Sequence, residues 1–99
     1  MQSTGLGKVT VATAGTPILL STLTTLTKVH RILVSFDASD SSSLWIYVKD
    51  KAGNKYASLS SATPAIIIGG DESNQVVVAN YQIDSSSNGG GPIVGLDVV

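Results

Sequence analysis

The sequence predicts an all-β protein, a single antiparallel β-sandwich or jelly-roll-like domain of roughly eight strands spanning residues 1–99. Three observations carry that expectation. Apolar residues recur with a period of two over several short runs, the pattern of strands buried on one face. Clusters of Gly, Ser, Asn and Asp punctuate those runs at close spacing, as connections in antiparallel sheets do. Finally, no stretch keeps the i, i+3, i+4 spacing of an amphipathic helix with caps at both ends. Ser21–Val29 places Leu23 and Leu26 on a helical spacing, but its β-branched threonines disfavour a helix.

Taken in order, Lys28–Asp37 reads as a strand with Ile32, Val34 and Phe36 on the face of His30, and Val29, Arg31, Leu33 and Ser35 on the other. Asp37–Ser43 is a polar connector. Leu44–Asp50 sets Leu44, Ile46 and Val48 against Trp45, Tyr47 and Lys49. Gly53–Asn54 follows, and glycine there supplies the positive φ of a hairpin turn. Pro64–Gly70 and Asn74–Asn80 are short β-branched runs separated by Gly69–Asn74. Tyr81–Asp84 and Pro92–Val99 read as neighbouring antiparallel strands, the second with Val94, Leu96 and Val98 on one face. Ser85–Gly91 reads as a flexible loop between them, and a loop longer than a tight turn requires is a candidate contact site.

Composition narrows the function classes. Ninety-nine residues make one domain with one modest core. The apolar runs are all shorter than the ~18 residues of a membrane helix, so no membrane role is expected. Nor does the start of the chain show a basic region followed by an apolar core, so the product is expected to be made in a cytoplasm. Without cysteine there is no disulfide, thiolate nucleophile or zinc-finger framework. A net charge of -1 provides no basic field for phosphate backbones, and nucleic acid is not an expected partner. Charged residues are 13% of the chain, about half the ~25% of ordinary soluble proteins. Ser, Thr, Asn and Gly must then cover the surface, which suits a protein in lasting contact with neighbours.

Individual side chains suggest binding before catalysis. His30 stands alone inside a strand, without an orienting carboxylate and nucleophile in its pattern, so no catalytic residues are expected. The carboxylates Asp37, Asp40, Asp50, Asp71, Glu72, Asp84 and Asp97 lie mostly in loops, where they favour turns. Asp37, Asp40 and Asp84 could hold calcium only if their loops met at one end, and their spacing matches no EF-hand. No metal and no cofactor is expected. Trp45 and Tyr47 share a strand face, and Tyr56 could join them across the following turn. Such a group is either a packing or subunit-interface surface, the favoured reading, or a platform for sugar rings.

The segments KVTVATAGTPILLSTLTTLTKVHRILVSF, LWIYVKDKAGNK and YQIDSSSNGGGPIVGLDV together resemble small structural proteins of tailed bacteriophages, of the head-decoration or cement and head-fibre type. In such proteins a first strand leads through a threonine-rich stretch to a strand of the V-x-x-I-x-V kind. A WIYV-like strand, a tyrosine-containing strand, a small-residue loop and a last strand then follow. The resemblance implies a non-enzymatic virion protein, often a homotrimer, seated on the outside of the capsid shell with the major capsid protein as partner. It implies capsid contact through a mobile N-terminal arm over residues 1–8, with Gln2, Ser3, Thr4 and Leu6 touching the shell. The loop residues Ser85, Ser86, Ser87 and Asn88 are a second candidate contact. One segment departs from the pattern: Asp50–Asn74 carries no clear apolar motif that would fix a partner. A carbohydrate-binding or host-adhesion module using Trp45, Tyr47 and Tyr56 is the alternative.

Overall fold

The structure, a computed structural model, describes residues 2–41, 43–70 and 73–98. Its strands are β1 (Gln2–Lys8), β2 (Ile18–Leu19), β3 (Lys28–Val29), β4 (Arg31–Phe36), β5 (Ile46–Asp50), β6 (Lys55–Leu59), β7 (Ala65–Gly69), β8 (Val76–Val77), β9 (Tyr81–Ser85) and β10 (Pro92–Val98). Short 3-10 turns occupy Leu20–Thr22 and Val78–Asn80. The chain is all-β, as its periodicity predicts. One four-stranded sheet has the order β1-β10-β4-β7, a second the order β2-β9-β5-β6, and β3 and β8 make a two-stranded ribbon. Every pairing is antiparallel, and the two ends of the chain interleave within each sheet.

The period-two pattern fixes which face of each strand is buried. Along β4 burial alternates, with Ile32, Val34 and Phe36 inward and Arg31, Leu33 and Ser35 half-buried. Register sets Ile32 between Leu96 of β10 and Ile68 of β7, and Val34 between Val94 and Ile66. Opposite them, the second sheet contributes Ile46, Val48, Leu59 and Ile83. The inner rows of the two sheets form one continuous core, closed at its ends by Leu20, Val29 and Val78.

Four expectations change. The strand expected over Lys28–Asp37 breaks at His30, whose backbone N–H donates to Asp97 O and whose carbonyl accepts from Gly70 N. Val29 therefore joins β3, pairs with Val76 of β8, and is buried, although the sequence reading set it on the face opposite Ile32 and Val34. The run Asn74–Asn80 yields only Val76–Val77 as strand before the chain coils into a 3-10 turn that buries Val78. From Gln2 onward, the segment expected as an arm is strand β1, paired along β10 with a bulge between Gly5 and Gly7.

The last correction concerns the final two strands. β9 and β10 are not neighbours; β9 lies between β2 and β5 in one sheet, and β10 between β1 and β4 in the other. The connection between them crosses from sheet to sheet, and its glycines serve close approach instead of flexibility. A Cβ on Gly91 would lie 1.8 Å from Val9 O, and one on Gly90 would lie 2.6 Å from Leu44 Cδ2. Val9 N donates to Pro92 O, Val11 N to Gly90 O and Gly89 N to Val11 O, each at 2.8 Å. The crossing loop is thus laced to Val9–Val11, which extends the β1–β10 pairing. Val99 lies outside the described residues.

Candidate binding surfaces

The charged side chains are largely committed to holding loops and edges in place. On the outer face of the second sheet, Asp84 is buried, and Lys49 Nζ reaches its Oδ2 at 2.7 Å. Its Oδ1 accepts the backbone N–H of Ser85 at 2.8 Å and of Gly15 at 3.0 Å, so the turn before β2 lies over it. Burial alone would push this carboxyl up; Lys49 and the two amides outweigh it and hold the group below the usual carboxylate range. On the first sheet Asp97 accepts Ser3 Oγ at 2.5 Å and pairs with Arg31, and both bonds lower its pKa. Lys8 Nζ lies 2.6 Å from Asp40 and 3.3 Å from Asp37, tying the end of β1 to the connector after β4.

Asp37, Asp40 and Asp84, the conceivable calcium set, are thus divided between two lysines. Asp40 also accepts Gly91 N at 3.2 Å. Asp50 caps its own hairpin, its Oδ1 accepting the N–H of Ala52 and of Asn54. Among the described residues no group of three or more His, Cys, Asp or Glu side chains converges as metal ligands would. Asp71 and Glu72 lie outside the described residues. His30 is buried, and its Nδ1 has no hydrogen-bond partner among the described residues.

The aromatic trio is split. Trp45 stands 45% exposed just ahead of β5, its backbone N–H bonded to Ser86 Oγ and its carbonyl accepting Ser86 N. Tyr47 lies on the same outer face, half-buried, but Lys55 Nζ sits 4.1 Å from its ring centroid in a cation–π contact. Tyr56 falls in the β5–β6 register shift, and its ring meets Tyr81 edge-on at 5.6 Å. Tyr56 and Tyr81, with Asp50, Lys51, Ala52 and Asn80, line a cleft of about 310 Å³. Burial raises the pKa of the Tyr81 phenol there. Sequence alone brought Tyr56 to Trp45 and Tyr47; tertiary packing gives it to Tyr81, a partner that no local spacing announces.

The residues expected to touch a capsid lie on β1 and at the end of β9 with the loop that follows it. In β1, Ser3 bonds Asp97, Thr4 faces Leu96 across the ladder, and Leu6 packs against the core at the bulge. At the end of β9 Ser85 is buried, its Oγ donating to Ser87 O, and in the crossing loop Asn88 Oδ1 accepts Ala14 N. Ser86, Ser87 and Asn88 remain exposed.

A surface that sequence reading missed lies on the outer face of the first sheet. Ile67 of β7 is 54% exposed and Ile93 of β10 is 45% exposed. Half-buried Leu33 faces Ile67 across one ladder and Gly95 across the other, with Ile93 diagonal to it. The outward isoleucines could be read from the alternation in Ala65–Gly69 and Pro92–Val98. Their adjacency follows only from the strand order. Comparison with family models, curated proteins and solved structures finds no match to the chain.

Proposed function

We propose that the chain is a non-enzymatic structural protein of a bacteriophage virion, a capsid decoration or cement protein that binds the outer surface of the shell through the major capsid protein. The observation that carries this reading is the pair of exposed isoleucines, Ile67 and Ile93, flanking half-buried Leu33 on one sheet face, because contiguous exposed apolar side chains mark association sites. Two features support it. The acidic side chains Asp37, Asp40, Asp84 and Asp97 are engaged in ion pairs that fasten loops and edges, a structural use of charge. The interleaved strand order, which we read as a jelly roll, is an architecture used by viral capsid and lectin domains, a support by fold analogy. Contacts between copies on the shell add avidity, since linked attachment multiplies weak affinities.

The test is reconstitution. Shells of the phage whose genome encodes the chain, prepared without it, are mixed with the purified protein and sedimented. The protein should pellet with the shells and raise their resistance to heat. Ile93→Lys should weaken that attachment at least several-fold while leaving the thermal unfolding of the free protein unchanged. A chain that stays in the supernatant at saturating amounts overturns the reading.

The cleft between Tyr56 and Tyr81 favours a second reading, a carbohydrate-binding or host-adhesion module, because it joins aromatic faces to the polar groups of Asn80 and Asp50. It predicts binding to at least one member of a broad glycan panel, lost in Tyr56→Ala and, if the exposed indole takes part, weakened in Trp45→Ala. A flat response across the panel removes it.

A further inference from the structure

The edges of the two main sheets are not alike. A free edge offers unpaired N–H and C=O groups to any extended chain, and proteins blunt such edges with short strands, bulges or charge. Here β1 carries the bulge between Gly5 and Gly7 and ends in Lys8. β6 carries Lys55 and the register shift opposite Val48–Lys49. β2 has only two residues. β7, Ala-Ile-Ile-Ile-Gly, has none of these devices among the described residues: it is five residues long, uncharged and in unbroken register with β4.

The direction of its free groups follows from the ladder. Phe36 N donates to Pro64 O at one end of the pairing, and Gly70 N to His30 O at the other. With Val34 opposite Ile66 and Ile32 opposite Ile68, the alternation of antiparallel bonds turns Ile66 and Ile68 toward β4. Ala65 and Ile67 therefore point their N–H and C=O groups away from the sheet. At the far end Gly69 has φ +88°, and Val76 of the ribbon and the His30 carbonyl lie where its Cβ would be, so only glycine fits there.

We infer that β7 pairs antiparallel with β7 of a second copy of this chain, about a twofold axis at Ile67, joining the two four-stranded sheets into one. Strand addition at an open edge is a common recognition mode, and three features select a second copy as the occupant. Antiparallel pairing about Ile67 is self-complementary, each Ile67 exchanging both backbone bonds with its counterpart. The segment carries no charge, so the twofold brings no like charges together. On the outer face, the Ile67 side chains meet as a cross-strand pair and extend the Leu33–Ile67 row across the junction. A head-to-tail ring, such as the homotrimer that the resemblance implies, needs a second, different edge to receive β7. The other edges of the main sheets are guarded, so the contact is isologous. One short strand pair buries less than the ~1,600 Å² of a standard stable interface, so the dimer should be concentration-dependent.

This inference is independent of the virion reading, and its test uses the purified full chain alone. Light scattering over a wide concentration range should show mass rising from 10.1 kDa toward twice that value. Ile67→Lys, and separately Ile67→Pro, which removes an N–H that β4 does not use, should each keep the protein monomeric with its circular dichroism unchanged. Ile93→Lys, on the same face but off the edge, should leave the dimer intact. Hydrogen exchange gives a readout without mutation: the Ile67 amide should gain at least tenfold protection as the dimer forms. A monomer at every concentration, a trimer, or an oligomer in which the Ile67 amide exchanges as freely as in the monomer overturns the inference.

Discussion

Asp84 shows how a single residue is used here. A lone buried carboxylate costs too much to retain, and the fold keeps this one by surrounding it with Lys49 and the amides of Gly15 and Ser85. The cluster fastens the turn before β2 to the outer face of β9, a job that a solvated turn aspartate could not do. Asp84→Ala strands Lys49 and frees that turn. It should cost about 3 kcal/mol, the lower end for breaking a buried pair, because Lys49 keeps some contact with water. Urea unfolding at neutral pH measures it, and a loss below about 1 kcal/mol, the worth of a surface pair, would place Asp84 among ordinary exposed carboxylates. His30 is the counterpart on the other side: a residue type that suggests chemistry, here enclosed in the sheet by its backbone bonds to Asp97 and Gly70.

At the scale of elements, the connection between β9 and β10 decides most. Its glycines look like flexibility when read as a string, yet two of them are small because neighbouring chain passes where a side chain would be. Gly91→Ala forces a Cβ against the carbonyl of Val9, which is backbone and cannot rotate away. It should destabilise the fold by at least about 2 kcal/mol, in the range of overpacking. Gly5→Ala meets nothing within 4 Å, has no strained φ, and should stay within about 0.5 kcal/mol of the parent. Thermal melts of the two variants side by side check the contrast; equal shifts would show that the loop yields to the added methyl. The same element explains why the N-terminal segment is not a free arm. β1 covers one edge of β10, and Ser3 completes the shell around Asp97.

The whole molecule is stitched by acids. Asp37, Asp84 and Asp97 each have a folded-state pKa below the ordinary carboxylate value. Asp37 is held down chiefly by Ser39, Asp97 by Ser3 and Arg31, and Asp84 by Lys49 and two amides that overcome its burial. A carboxyl with a depressed folded pKa contributes stability that is fully present above its unfolded value of ~3.9 and is lost as pH falls through the lower folded value. Stability should therefore be flat from neutral pH down to about 5 and then fall steeply below about 4. Urea midpoints between pH 7 and pH 2 measure the slope, and Asp84→Asn should flatten it. Stability that rises toward pH 3 would contradict these pairings.

The sequence by itself determined the all-β class, the antiparallel character, the hairpin at Gly53–Asn54, and which side of β4, β5 and β10 faces the core. Each of these is written in a period of two or in a turn residue, so nearest neighbours along the chain suffice to read it. Strand order was beyond that reach. Whether β9 pairs with β10 or with β5 depends on partners distant in sequence, and both choices bury the same alternating faces. For the same reason the trio Trp45, Tyr47 and Tyr56 read as one platform, while packing set Tyr56 against Tyr81 and Lys55 over Tyr47. The open edge at β7 is likewise a property of the sheet: Ala65–Gly69 becomes an edge only because β4 takes one side of it and nothing described takes the other. Local chemistry chooses strands and faces; the closing of two sheets over one core chooses neighbours, edges and which loops are held fast.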